Sequence, residues 1–316
     1  MSTQTDLASL NSSLAIAAAA AATAEKQVAA GTPSSWASIA TMFAIANAQN
    51  SAAALAADVN PPPLSTLVGL WNNGTPAAEL GVTPQLISDY ADGANSTTYG
   101  YDSQRTQQQA GKLLMLGVGA LTAAEATAIA ETLIANGQPS ALIRPMWEMN
   151  QHGWFPVWNQ ATMTAAEYIA EWKTIVNAMR SVAGQSFKFV WNPTADINGQ
   201  NNAAGRTDTD TFAGTAYVDY VAVDCYDNNG SVAESVTCIT EFVAFAKSEG
   251  LEWGLCEWGL FNNADDPAFV EAIQGLCDDG TCAFQALFSE VGLTSGNGTD
   301  ITKAPNSLAA YRSWLG

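Results

Sequence analysis

"YVAVDCYDNNGSVAESVTCITEFVAFAKSEGLEWGLCEW", residues 220–258, holds two short apolar runs on either side of a long amphipathic segment. The outer runs, "YVAVDCY" (220–226) and "EWGLCEW" (252–258), have the length of strands, whereas residues 232–249 between them have helical spacing. Strand, helix, strand is the repeating unit of a parallel sheet, because parallel neighbours need a crossover of about a dozen residues or more.

Outward from this unit the same texture continues in both directions. Apolar runs recur at "LVGLW" (67–71), "QLISDYA" (85–91), "KLLMLGVG" (112–119), "ALIRPMWE" (141–148), "FKFVWNP" (187–193) and "AFQALFS" (283–289), with helical patterns clearest over 122–136, 164–183 and 267–276. Eight strands alternating with helices over about 250 residues predict a (β/α)8 TIM barrel, an α/β fold, spanning 63–316. A doubly wound sheet is the alternative, and no GxGxxG or GxxxxGK motif accompanies it.

Residues 1–62 have a different composition. They are rich in alanine, broken at Gly31-Thr32-Pro33 and ended by "NPPPLS" (60–65), which predicts a hairpin of two helices. Trp36, Ile39, Phe43 and Ala46 share one face of the second helix. That face is expected either to pack on the chain's own domain or to serve attachment, in a homo-oligomer or a larger particle. The run "LAIAAAAAATA" (14–24) imitates the apolar part of a secretion signal, but the residues before it include Asp6 and neither Lys nor Arg. It is too short to cross a bilayer, so no membrane insertion is expected. An extracellular or virion-associated location without a convincing signal peptide is the expectation.

Eleven Lys+Arg stand against thirty Asp+Glu, a formal net charge of -19, with no basic run. Phosphate neutralisation needs clustered cations, which argues against a nucleic-acid partner, whereas a neutral polysaccharide suits an acidic surface. One histidine and five scattered cysteines (Cys225, Cys238, Cys256, Cys277, Cys282) form no zinc pattern, so neither a metal nor another cofactor is expected. Cys277 and Cys282, in "CDDGTC", are spaced to close a small loop.

In such barrels the active site lies at the C-terminal ends of the strands. The fourth run ends at Glu148, the sixth at Tyr226 and the seventh at Glu257. Strict alternation puts Arg144, Met146 and Glu148 on one face with Pro145 and Trp147 on the other, Asp224 with Tyr226, and Glu257 with Leu255 and Trp253. Arg144 and Asp224 are expected to pair deeper in the barrel as structural support. Two carboxyls in one mouth are what glycoside hydrolysis requires, one protonated and one ionised, about 5–5.5 Å apart for retention and about 6.5–9.5 Å for inversion. The apolar neighbours Met146, Trp147 and Trp154 would raise the pKa of Glu148, and a hydrogen bond from Tyr226 would keep Glu257 ionised. The plainer reading leaves both as ordinary loop acids.

"LIRPMWEMNQHGWFPVW" (142–158), "FVWNPT" (189–194), "AYVDYVAVDCYDN" (216–228) and "WGLCEWG" (253–259) resemble, in order and spacing, the fourth to seventh strand ends of glycoside hydrolase family 26. That family includes β-mannanases and related β-glucanases and xylanases, and the resemblance covers about residues 66–315. It implies an endo-acting, retaining β-glycosidase that works through a covalent glycosyl-enzyme without a metal. By the same resemblance Glu148 is the general acid/base, Glu257 the nucleophile and Tyr226 the tyrosine beside it. Two departures stand out. Trp147 occupies the place where the family commonly has a sugar-reading histidine, and "NQHGW" puts two residues between Asn150 and Gly153 where the family has none.

Sugar rings stack on indole and bond to amides. Trp154, Trp158, Trp191, Asn150 and Asn192, with Trp71 and Trp258, are therefore the expected substrate-binding residues. His152 is expected to be a loop hydrogen-bonding residue. Trp36, Trp172 and Trp314 fall in helical patterns and are expected to pack. Two non-enzymatic readings remain beside the glycosidase: a glycan-binding component of a virion or cell-surface assembly, and an acidic structural barrel.

Overall fold

A computed structural model describes residues 66–71, 74–93, 95–150, 163–195, 209–227, 231–261, 264–278, 280–290 and 299–315. Eight parallel strands close into a barrel in sequence order: β1 Leu67–Trp71, β2 Leu86–Tyr90, β3 Leu113–Val118, β4 Leu142–Pro145, β5 Lys188–Trp191, β6 Tyr220–Tyr226, β7 Glu252–Gly259 and β8 Cys282–Leu287. The last strand pairs back onto the first, Gly69 opposite Ala286. Every apolar run read from the sequence became a strand, in order, as the (β/α)8 expectation requires.

The crossover helices among the described residues are α1 Ala77–Leu80, α2 Ser103–Gln109, α3 Ala123–Ala135, α4 Ala165–Arg180, α5 Val232–Glu249 and α6 Pro267–Cys277, and a further helix, α7 Pro305–Leu315, follows β8. Three of them start on a capping box, Thr122 with Glu125, Thr164 with Glu167 and Ser231 with Glu234, in which hydroxyl and carboxylate satisfy each other's orphan amides. α5 stops at Gly250, whose φ of 71 is left-handed and suits glycine at a helix end. None of these helices is long and apolar enough to cross a membrane.

The apolar faces of the helices meet the outer face of the barrel. Trp172 is buried there as expected, its indole N–H donating to the Tyr217 carbonyl. Trp314 packs on Trp258 and Tyr311. Two of the expected sugar platforms lie in the same layer. Trp191 is fully buried against Phe212, Phe242 and Phe245, and Trp258 against Phe269 and Tyr311. Both face the helices because they sit one residue off the inward positions of their strands, so neither can stack on a substrate in the barrel mouth.

Inside the barrel, Leu86, Met115, Leu142, Val190, Ala222, Cys256, Phe284 and Ala286 form a dry floor. Phe284 fills it because β7 offers Gly254 opposite, where a Cβ would come within 2.7 Å of the ring. Above the floor the inward positions turn polar.

Strict alternation fails on the two strands that matter most. β4 ends at Pro145, and Met146 and Glu148 adopt left-handed backbone with φ of 47 and 51. Trp147, expected to point away from the mouth, instead packs against the Tyr90 ring. In β7 the register with β6 jumps from Val223–Leu255 to Asp224–Glu257, skipping Cys256. This bulge separates Glu257 from Leu255 and Trp253, its expected face-mates, which lie in the outer layer.

The helical hairpin and docking role expected of residues 1–62 lie outside the described residues, as do Trp154, Trp158 and His152. Cys277 and Cys282 are buried thiols with sulfurs 3.5 Å apart. Trp191→Ala is expected to lower stability by about 3–5 kcal/mol in chemical denaturation, as for a large core aromatic. If Trp191 contacted substrate instead, Trp191→Phe would raise KM and leave stability intact.

Candidate active site

Arg144 points inward from β4 and is completely buried. Its Nη1 donates to Glu257 Oε1 at 2.9 Å and to Asn192 Oδ1 at 2.9 Å, and lies 3.8 Å from Asp224 Oδ1. Asn192 in turn donates through Nδ2 to Asp224 Oδ1 at 3.0 Å. The expected Arg144–Asp224 pairing is thus present, but the closer partner of the guanidinium is Glu257. One cation stands among three buried carboxyls, Glu148, Asp224 and Glu257, so their protonation must be divided unequally.

Glu257 has the donors that favour an anion. Besides Arg144, the Tyr226 hydroxyl donates to Oε2 at 2.8 Å and the Tyr90 hydroxyl donates to Oε1. Burial pushes the Glu257 carboxyl up to about 8, the same level as Glu148, so burial does not set the two apart. The guanidinium and the two phenols oppose it, because hydrogen bonds and positive charge on a carboxylate favour ionisation. Tyr226 supplies its proton reliably, since burial and nearby carboxylates hold the phenol well above its ordinary pKa.

Glu148 sits in the opposite situation. Its backbone N–H donates to the Asn192 carbonyl at 2.7 Å, while the Met146 N–H reaches back to the Val118 carbonyl at 2.7 Å. The left-handed turns at Met146 and Glu148 let this short segment stay bonded to β3 and β5 at once, with Trp147 between them. Such non-glycine conformations are uncommon and cluster where a side chain must be aimed. Burial, then the charge of Asp224, push the Glu148 carboxyl up to about 8, with Arg144 acting in the other direction. Asp224 is likewise pushed up, to about 7, by burial against the pull of Arg144 and Asn192. Burial lifts both carboxyls alike, so it is the three donors on Glu257 that suit it to be ionised and leave Glu148 suited to carry the proton.

The expected binding amides are committed elsewhere. Asn150 Oδ1 accepts from the Thr194 N–H at 2.8 Å and its Nδ2 donates to the Thr194 carbonyl at 2.9 Å, tying the end of β4 to the end of β5. Asn192 is fully buried between Arg144 and Asp224. Both hold the site together without reaching into the mouth. Trp71 is half-buried, stacked on Phe288 at 5.1 Å and tilted against Tyr90 at 4.9 Å. Tyr90 is the residue the sequence reading missed. It ends β2 just as Tyr226 ends β6, but the apolar run read from the sequence extends one residue further, to Ala91, and so hides it.

The sequence profile of Glycosyl hydrolase family 26 matches residues 77–274. No curated protein sequence matches the chain. Among solved structures, the catalytic domain of a family 26 endo-β-1,4-mannanase from Bacillus sp. JAMB-750 aligns with 18% identity and a TM-score of 0.58, over 79% of this chain and 86% of that one. A family 26 β-mannanase from Bacteroides ovatus aligns with 12% identity and a TM-score of 0.61, over 79% and 88%. An endo-β-1,4-mannanase double mutant from Cellulomonas fimi aligns with 16% identity and a TM-score of 0.59, over 80% and 71%. At these identities the structures share the fold.

The raised Glu148 pKa makes stability depend on pH. Between about 4.5 and about 8 the folded chain keeps a proton that the unfolded chain releases, so stability falls as pH rises through that window. Below it the group is protonated in both states and contributes no slope. Glu148→Gln is expected to melt several degrees above wild type near pH 8 and level with it near pH 4. A gap of equal size at both pH values would show that Glu148 is not the buried acid.

Proposed function

The chain belongs to glycosyl hydrolase family 26, and from that premise we propose that it is an endo-acting, retaining β-glycosidase with Glu148 as acid/base and Glu257 as nucleophile. The observation that carries this reading is the contrast between two buried carboxyls. Glu257 is held by a guanidinium and two phenols, and Glu148 is lifted by burial beside Asp224.

The division of labour follows from that contrast. Glu257 attacks the anomeric carbon while Glu148 gives its proton to the departing glycosidic oxygen, leaving a glycosyl ester on Glu257. Glu148, now ionised, takes a proton from water, and the resulting hydroxide equivalent attacks the same carbon and releases Glu257. Two inversions restore the starting configuration. Arg144 and the phenols serve both steps, since they favour Glu257 as an anion before attack and as the departing carboxylate afterwards.

The substrate proposed is β-mannan or a related β-glycan. Solved relatives are mannanases by name. At Trp147, however, an indole packed on Tyr90 takes the place of a sugar-reading imidazole. That ring is buried against Tyr90, and the polymer assay below decides among mannan, glucan and xylan. Trp71, with its ring at the mouth, and Trp154 and Trp158 are the residues proposed to stack on sugar.

A reducing-sugar assay over mannan, galactomannan, mixed-linkage glucan and xylan tests this. Wild type is expected to cut at least one polymer, and Glu148→Gln and Glu257→Ala to lower kcat/KM by about 10²–10⁴-fold or more. Proton NMR of the first product should show the substrate's own anomeric configuration. Retention of a polymer without cleavage would mark the barrel as a binding module instead. The pH profile of kcat/KM is expected to be bell-shaped, with the basic limb following Glu148, whose carboxyl is pushed up to about 8, because activity is lost as the acid deprotonates.

A further inference from the structure

We infer that Tyr90 is a positioning residue for Glu257, holding Oε1 so that Oε2 is the oxygen presented for attack. The inference rests on the reading of Glu257 as nucleophile. Tyr90 and Arg144 Nη1 both donate to Oε1, whereas Oε2 accepts only the Tyr226 hydroxyl among the described residues. A carboxylate bound this way cannot exchange its two oxygens by rotation without losing three charge-assisted hydrogen bonds. When Oε2 forms the bond to the anomeric carbon, Oε1 becomes the ester carbonyl and still accepts from Tyr90 and Arg144.

The fold fixes the Tyr90 ring from several sides. Trp147 lies 4.7 Å from it and Trp71 4.9 Å, centroid to centroid, and the Arg144 guanidinium sits 4.9 Å from its centre. β3 supplies Gly117 beneath the ring, where a Cβ would come within 2.6 Å of Tyr90 Cδ1. A tyrosine that served packing alone at a half-buried position would turn its hydroxyl to water. Here the hydroxyl turns inward onto a buried carboxylate, and the aromatic neighbours leave the ring little freedom to do otherwise.

The groups facing Glu257 are Tyr90 from β2, Arg144 and Glu148 from β4 and the segment after it, Asp224 and Tyr226 from β6, and the Cys256 thiol on β7, which burial keeps protonated. Removing the Tyr90 hydroxyl takes one donor from the anion and leaves the others in place. The acid form of Glu257 then gains, so its titration moves up.

The experiment compares wild type with Tyr90→Phe by carbon NMR of labelled glutamate carboxyls, with the Glu257 signal assigned through Glu257→Gln, and by the pH profile of kcat/KM on a polymer that wild type cuts. Tyr90→Phe is expected to keep the wild-type melting temperature within a few degrees. It should also raise the Glu257 titration by about one pH unit, shift the acidic limb of the profile with it, and lower kcat about tenfold with KM changed less than about twofold. Gly117→Ala, which displaces the ring while keeping the hydroxyl, is expected to move the titration in the same direction. An unmoved Glu257 titration in a folded Tyr90→Phe protein overturns the inference. If the titration moves but wild type cuts none of the polymers, the positioning contact stands and the glycosidase reading falls.

Discussion

The site depends on one buried guanidinium. Arg144 has no access to water, and its charge is neutralised from within the barrel by Glu257, Asp224 and the Asn192 amide. A cation in that position decides which of three carboxyls remains ionised, and it does so by distance: Glu257 lies in hydrogen-bond contact and Asp224 nearly an ångström farther away. The phenols of Tyr90 and Tyr226 then act on a charge already placed. Burial pushes all three acids up, and the guanidinium is the positive charge set against it, in direct contact with Glu257 alone of the three.

The barrel makes such an arrangement tolerable by separating its contents along the axis. Leu86, Met115, Leu142, Val190 and Phe284 fill the lower part, so the packing that holds the strands together does not compete with the polar groups above. The polar tier is braced by amides that do not reach into the mouth. Asn150 ties the β4 end to the β5 end through both faces of its amide, and the Glu148 amide bonds to the Asn192 carbonyl. Residues that look like sugar ligands in the sequence thus prove to be the frame that keeps the carboxyls in place.

The strand order, the helix positions and the placing of Glu148 and Glu257 near two strand ends were legible in the sequence because each rests on a local pattern: apolar runs, helical spacing, a charged residue near the end of a run. The orientation of side chains was legible only where alternation holds. It breaks at Met146 and Glu148, where left-handed backbone turns Trp147 toward Tyr90, and at Cys256, where β7 gains a residue relative to β6. Pro145 directly precedes the first break and Gly254 lies close before the second, but neither residue type says which way the side chains after it turn. Trp191 and Trp258 were misplaced for a related reason: a motif identifies a residue but not the face of the strand it occupies. Tyr90 was overlooked because the apolar run that contains it reads on to Ala91, although in the structure it ends β2 as Tyr226 ends β6.

The bulge in β7 has a consequence for how this barrel can change over evolutionary time. Glu257 faces the mouth only because the strand carries one more residue than its neighbour's register requires. Were the same residues to run on from Leu255 in strict alternation, without the bulge, the carboxyl would turn into the helix layer and the Trp258 indole would turn inside. Loss of Cys256, by contrast, would close the bulge and leave Glu257 opposite Asp224 and still facing the mouth, so this strand can shorten by one residue more safely than it can straighten.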